Sequence, residues 1–463
     1  MKKLSTLLFL MLTAAFVSAE ARDLTIEEAV ALGRENNLSL KMQDVAVAQA
    51  ERENEDRWNV FIPDVSLTTT LARTNQASTG YGAMPLEDYS TTITEYNDYI
   101  TTYDVGAFYE YDYGNWAFVA DLSAQLVLNP AIGNGINALG LNLRSEQLNR
   151  EIDEKQLEQN IKKYYYQLVQ LQANIALLEK NIATTEQRYR DMEAMYRNGL
   201  ITELDLLQTE SGLASLTPVL TSLKNGYEQL RMAFCMDLGL PLNQELNLLD
   251  EITAENARTF DADKLVGSYL ADNLDIQSLT LGKDMTENGR DAQNNLSMPS
   301  LILGWNYNPT VLDPFNGDNW SDDYLVDGDG GAFSVTVSIP LDDWMPHSTA
   351  RNDVKALEDS LKTLDYQKEL LYQATEMQIR QHVMTLDAAV QNLAVMEENV
   401  VLAQKTYDMS WARYRNGQMT ATDLSQAEND LLQAESDLLG EKYTYISALL
   451  DLEYTVNRTL DKE

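Results

Sequence analysis

Tyr196, Arg197, Asn198 and Gly199 recur as Tyr414, Arg415, Asn416 and Gly417, each 218 positions later. Asp205, Leu206, Gln208 and Glu210 recur at the same distance as Asp423, Leu424, Gln426 and Glu428. A chain that repeats itself in this way builds its fold from two copies of one unit, so the repeat constrains the architecture more than any single motif does. Each copy reads as a helix, a tight glycine turn and a second helix. Glycine accepts the left-handed conformation that ends a helix, and an acid a few residues on suits the positive end of the next helix dipole.

Before the first turn, Ile161, Tyr165, Leu168, Leu171, Ile175, Leu178, Ile182, Thr185, Tyr189, Met192 and Tyr196 step by threes and fours. At the offset of 218 they become Ile379, Val383, Leu386, Ala389, Leu393, Met396, Val400, Ala403, Tyr407, Ser410 and Tyr414. Such a near-heptad stripe predicts helices packed side by side as in coiled coils, although plain helical core gives the same pattern. After the turns, Leu206, Leu213, Leu216, Leu220, Leu223, Tyr227, Leu230 and Phe234 match Leu424, Leu431, Ala434, Leu438, Glu441, Tyr445, Ala448 and Leu452, with Glu441 the one break. Pro218 has no counterpart, because Ser436 stands there. A proline inside a helix removes a backbone hydrogen bond and bends it, so Pro218 predicts curvature of one long helix rather than a gating hinge.

Lys2 and Lys3, the apolar run Leu7 to Val17 and the small residues Ser18, Ala19 and Ala21 read as a secretory signal peptide over residues 1–21. The run is too short for a bilayer span of about 20 residues. The repeats then occupy 22–249 and 250–463, each with a helix, a β-hairpin and a long helical hairpin. The single cysteine, Cys235, excludes an internal disulfide and sits where a buried, inert thiol is expected. A formal net charge of -38 argues against nucleic acid or anionic lipid as a partner and favours solubility, an acidic lumen or attraction for cations.

A weaker repeat precedes the long helices: Val30, Asn37, Leu38, Leu40 and Pro63 match Val266, Asn273, Leu274, Ile276 and Pro299 at an offset of 236. Each reads as one amphipathic helix ending at a proline. Beyond the prolines the pattern alternates, with Val65, Leu67, Thr69 and Leu71 on one side of a strand, and Leu301, Leu303, Trp305 and Tyr307 on one side of another. Trp116, Phe118, Ala120, Leu122, Ala124, Leu126 and Leu128 alternate until Pro130, and Phe333, Val335, Val337 and Ile339 until Pro340. That makes four strands in two hairpins. Alternation also describes a half-buried strand of a soluble sheet. The secretory signal, the lack of another spanning candidate and the tryptophans and tyrosines near strand ends favour a membrane barrel. Four strands cannot close a barrel, so closure would need several chains. Loops at about 75–115 and 308–330 are polar, aromatic and acidic. The run Asp313, Asp318, Asp322, Asp323, Asp327, Gly328, Asp329 suggests calcium, but it lacks the EF-hand spacing and reads better as a solvated outer loop.

Taken together, the order helix, proline, hairpin, proline, long helix, glycine turn, long helix, with two Tyr-x-x-Gly turns and their later Asp-Leu, resembles the TolC-like outer-membrane efflux protein family. The opening stretch Leu24, Thr25, Ile26, Glu27, Glu28, Ala29, Val30 with Glu35, Asn36 and Asn37 is similar too, although Leu38 stands where the family often has a proline. The resemblance implies a mostly α chain with a small β part. It implies a homotrimer whose chains each give four strands to one 12-stranded transmembrane β-barrel in the outer membrane. Their long coiled-coil helices would form an α-barrel tunnel through the periplasm, and about 65 residues of helix would span roughly 100 Å. The duct would be passive, without cofactor or metal, and joined by a periplasmic adaptor (membrane fusion) protein to an inner-membrane transporter of a multidrug-type or one-step (type I) secretion system.

By the same resemblance the two turns form the periplasmic tip. Tyr196, Arg197, Asn198, Gly199, Leu200 and Thr202, with Tyr414, Arg415, Asn416, Gly417 and Thr420, would dock the adaptor. Arg197 and Arg415 are adaptor contacts or partners of the helix dipole. Asp205 and Asp423 line an aperture, where a threefold ring of carboxylates concentrates cations, or cap their helices. Met419, Ser425 and Gln426 place no charge around Asp423, so an ionic lock is not expected there.

Two rival functions remain. The heptads alone allow a soluble periplasmic coiled-coil scaffold, which the four alternating strands argue against. A secreted hydrolase is disfavoured because the only histidines, His347 and His382, lie in no metal-ligand or nucleophile motif.

Overall fold

The computed structural model describes residues 22–73, 79–83, 108–112, 115–199, 201–254, 257–312, 314–315, 317–320 and 331–460. The signal peptide, Leu200 and most of the two acidic loops, including every aspartate suggested for calcium except Asp318, lie outside the described residues. The chain is mostly helical and divides into two compact units.

The first unit comprises the residues up to Arg52, Leu141–Met285 and those from Leu361 onward. It holds α4 (Glu203–Asp237) and α8 (Ala421–Val456) whole, and all but the first residues of α3 (Ala131–Arg197) and α7 (Thr349–Arg415). Helices α3 and α7 have 67 residues each, and both ends of one lie 218 positions from those of the other. At 1.5 Å per residue each is about 100 Å long. The stripe read from the sequence is the packing face: Ile161, Tyr165 and Leu168 form one core with Phe234 and Leu238, and Ile379, Val383 and Leu386 form another with Tyr445, Leu452 and Val456. The small or polar members of the stripe, Thr185, Ala389 and Ser410, are buried as well, while Ala403 is half-buried. At the break in register, Glu441 accepts a hydrogen bond from Asn392 at 3.1 Å. Pro218 lies inside α4 without interrupting it.

One expectation fails here. The stretch before each hairpin is two helices, not one: α1 (Ile26–Asn36) and α2 (Leu38–Glu55) in the first copy, α5 (Ala262–Tyr269) and α6 (Leu274–Leu296) in the second. An asparagine makes each break. Asn37 Oδ1 accepts from the amides of Ser39 and Leu40, while its Nδ2 donates to the Asp237 carbonyl at the end of α4. Asn273 Oδ1 accepts from the amides of Asp275 and Ile276, and its Nδ2 donates to the Thr455 carbonyl near the end of α8. Each buried amide thus caps one helix and ties it to the C-terminal end of another. No local pattern announces the parallel pair of β1 (Arg22–Leu24) with β6 (Leu246–Leu248), which joins the start of the first repeat to its end.

The second unit, Glu53–Gly140 with Thr286–Ser360, holds the sheet. Strands β2 (Asp64–Arg73), β5 (Trp116–Leu128), β7 (Ser300–Tyr307) and β9 (Ala332–Ser338) lie side by side in that order, all antiparallel. These are the four expected strands in their two hairpins. A short β8 (Thr310–Leu312) also pairs with β5, and β3 (Thr79–Ala83) pairs with β4 (Phe108–Asp112) as a separate ribbon. Register puts Leu67 beside Leu122, Leu126 beside Leu303, and Leu303 beside Val335, so one face is apolar across all four strands. The opposite face carries Ser66, Ser123, Asp121, Asn306, Thr336 and Ser334. The apolar face is uncovered at both edge strands: Leu67 is 66% exposed and Phe333 69%.

Candidate functional site

Both glycine turns are built as the sequence predicts. Gly199 and Gly417 have φ of 72° and 69°, and a Cβ at either would meet nothing within 4 Å. The backbone conformation alone therefore demands glycine. At the first turn the Asn198 side chain donates to the Ala194 carbonyl at 2.9 Å, and the Gly199 amide donates to the Tyr196 carbonyl at 2.8 Å. At the second, the Gly417 amide donates to the Tyr414 carbonyl and the Gln418 amide to the Arg413 carbonyl, each at 2.9 Å, in a Schellman pattern.

Thr202 and Thr420 open the following helices. The Thr202 hydroxyl accepts from the Asp205 amide at 3.3 Å, and Asp205 Oδ2 accepts from the Thr202 amide at 3.1 Å, which completes a capping box. The Thr420 hydroxyl accepts from the Asp423 amide at 3.2 Å and donates to Asp423 Oδ2 at 2.8 Å. Both acids thus stabilise helix starts locally, and Asp423 remains exposed.

The two turns differ at their arginines. Arg197 pairs with Glu193 one turn earlier at 2.6 Å. The position equivalent to Glu193 is Trp411, which stacks on Tyr414 with ring centroids 6.2 Å apart. Among the described residues no acid pairs with Arg415, whose side chain is exposed. Leu200, expected beside these residues, lies outside the described ones.

An ion pair that no local sequence pattern announces links the repeats. Arg188 Nη1 lies 2.6 Å from Glu428 Oε2, with each side chain only 6% exposed. Arg188 stands eleven residues before Gly199 and Glu428 eleven after Gly417. Thr185 lies 3.4 Å from both side chains. Burial pushes the Glu428 carboxyl above its usual range, against the opposing pull of Arg188. Burial likewise raises the Tyr407 and Tyr414 phenols that flank the pair. A second polar link joins the same helices further from the turns, where Asp451 Oδ1 accepts from Gln159 at 2.6 Å and from Lys163 at 2.5 Å. The signal is faint because Arg188 and Glu428 are 240 residues apart and, although Glu428 repeats Glu210 at the offset of 218, Arg188 is matched there by Thr406.

Cys235 is a free, fully buried thiol whose pKa burial pushes up, as expected of an inert cysteine. His382 is half-buried, and His347 lies exposed. Among the described residues no group of His, Cys, Asp and Glu is placed to hold a metal ion, and no helix is long and apolar enough to cross a membrane.

Comparison with known proteins agrees with this geometry. Residues 265–458 match the outer membrane efflux protein family. No curated protein matches the sequence. Among solved structures, the chain resembles CusC at a TM-score of 0.72 and 13% identity, over 93% of this chain and 91% of that one. The Campylobacter jejuni CmeC outer membrane channel aligns at a TM-score of 0.72 and 15% identity, over 94% and 87%. The outer membrane protein VceC from Vibrio cholerae aligns at 0.69 and 16%, over 94% and 97%. The second half of the chain is therefore similar in sequence to the outer membrane efflux protein family, and the whole chain shares the fold of these solved structures.

Proposed function

We propose that the protein is a passive exit duct of the outer membrane. Three copies would give four strands each to a 12-stranded barrel and would set their long helices around a periplasmic tunnel. The observation that carries this reading is the four-stranded sheet with an uncovered apolar face and an opposite polar face. A soluble protein would bury that face. A barrel wall turns it to lipid and its polar side to water. The scaffold alternative leaves the exposed Leu67, Phe333 and Val337 without a role.

The duct catalyses nothing; energy would come from an inner-membrane pump reached through a periplasmic adaptor. The two glycine turns are the docking tip, with Tyr196 to Thr202 and Tyr414 to Thr420 as its surface and Asp205 and Asp423 toward the aperture. The guanidinium of Arg415, without an acidic partner among the described residues, favours the second turn as the contact for an acidic adaptor patch. The test is outer-membrane fractionation followed by sizing in detergent and conductance in a planar bilayer. Recovery in the outer membrane as a trimer that opens aqueous channels is expected. A soluble periplasmic monomer would overturn the reading.

A further inference from the structure

Within one chain, α3 packs along α8 through two polar links, Gln159 and Lys163 to Asp451, and Arg188 to Glu428. A groove between the same helices places Gln159 and Lys162 near Leu450, Glu453 and Tyr454, and a neighbouring one places Tyr166 near Ile446 and Leu449. The helices of the second repeat, α7 and α8, start and end at the offset of 218 from α3 and α4, to within one residue. Helix α3 therefore uses one flank on α8, while among the described residues the matching flank of α7 is met by α5 at Arg380, which pairs with Asp263 at 2.8 Å, and is otherwise exposed at Met377 and Met384.

That flank is apolar. The residue at the offset of 218 from Gln159 is Met377, 64% exposed, and from Tyr166 it is Met384, 63% exposed. Leu370 extends the stripe at 68% exposed. The positions in α4 that match Leu450 and Tyr454 are Met232 and Met236, 40% and 65% exposed. The position matching Asp451 is Ala233. So where α3 and α8 meet through charge, α7 and α4 offer methionines to each other. Exposed apolar surface of this extent costs free energy in water unless a partner covers it. Nearer the turns, Arg188 corresponds to Thr406 and Glu428 to Glu210, both exposed.

We propose that the α3–α8 seam is the template for the seam between copies. Helix α7 of one copy lies along α4 of the next in the same register. Met377 and Met384 then meet Met236 and Met232 of the next copy, and Thr406 faces Glu210. The proposal rests on the trimeric reading and deepens it, since it assigns the register of assembly residue by residue. Its consequence is an asymmetry: the seam within a chain is latched by buried ions, and the seam between chains is held by adaptable thioether packing without an ion pair at either level.

Two measurements test it. Met377→Cys with Ala233→Cys, in a Cys235→Ala background, is oxidised in membranes and run without reducing agent. Covalent dimers and trimers are expected, with neither single variant cross-linking. Separately, Thr406→Arg should create with Glu210 of the next copy the pair that Arg188 makes with Glu428. It is expected to shift dissociation of the trimer upward by several degrees, a gain lost when Glu210→Gln is added. A trimer that neither cross-links nor responds to Thr406→Arg overturns the register while leaving the duct intact. A wild-type chain that is monomeric in detergent overturns the duct reading and the register together.

Discussion

At the scale of residues, the buried pair of Arg188 and Glu428 sets the sharpest energetic contrast. Two charges withdrawn from water are costly, and their attraction offsets that cost only while both are present. The raised carboxyl of Glu428 indicates that burial outweighs Arg188 at this site. Arg188→Met leaves an unpaired buried carboxylate and should destabilise the first unit by about 3–5 kcal/mol. Arg188→Met with Glu428→Leu should recover much of that loss, as read by thermal unfolding at neutral pH. His382 gives the pH dependence. Burial lowers its pKa below the ordinary 6.5, against Asp451 and with Lys163. In the window below 6.5 the unfolded chain therefore binds more protons than the folded one, so stability falls as pH falls through it and is level above it. Glu428, being raised, acts in the opposite sense over a window above 4.5. His382→Gln should remove the loss of melting temperature between pH 6.5 and 5; an unchanged profile would refute the assignment to His382.

At the scale of elements, the two faces of the sheet separate two environments. Val335 and Leu67 lie on the apolar face, Thr336 and Thr68 on the polar one, one residue apart along each strand. Val335→Arg should cost roughly 2–4 kcal/mol at mid-bilayer, while Thr336→Arg should be tolerated and line water. Heat-modifiable migration of the refolded trimer reads the difference, and equal effects would contradict a lipid-facing role. The sheet and the helical seam were legible because each rests on a local period, two or near 3.5, which side-chain direction converts directly into a buried face. The glycine turns were legible because left-handed backbone names its residue. What the sequence concealed depends on contacts between distant segments. Asn37 and Asn273 break their helices only because the ends of α4 and α8 supply carbonyls. The β1–β6 pair and the Arg188–Glu428 link join segments more than 200 residues apart, beyond any local pattern.

At the scale of the whole molecule, charge is distributed as unevenly as it is abundant. The chain carries a formal net charge of -38, and residues 74–143 and 291–346, which include most of the sheet and its loops, hold no lysine, arginine or histidine. Aspartates therefore meet no fixed countercharge along those stretches, and a channel lined by them concentrates cations and excludes anions. Threefold assembly would multiply the field without changing its sign. Screening bounds the effect: the Debye length is about 8 Å at 0.15 M ionic strength and about 3 Å at 1 M. In a planar bilayer under a potassium chloride gradient, the reversal potential should therefore report cation selectivity at low salt that fades toward 1 M. Replacing Asp121, on the polar face of β5, with asparagine should weaken that selectivity. Replacing Asp423 as well would separate the sheet's contribution from that of the tip, because only the tip acid sits at a turn expected to narrow the path. Selectivity unchanged by both substitutions would place the controlling charge elsewhere and would remove Asp423 from the aperture.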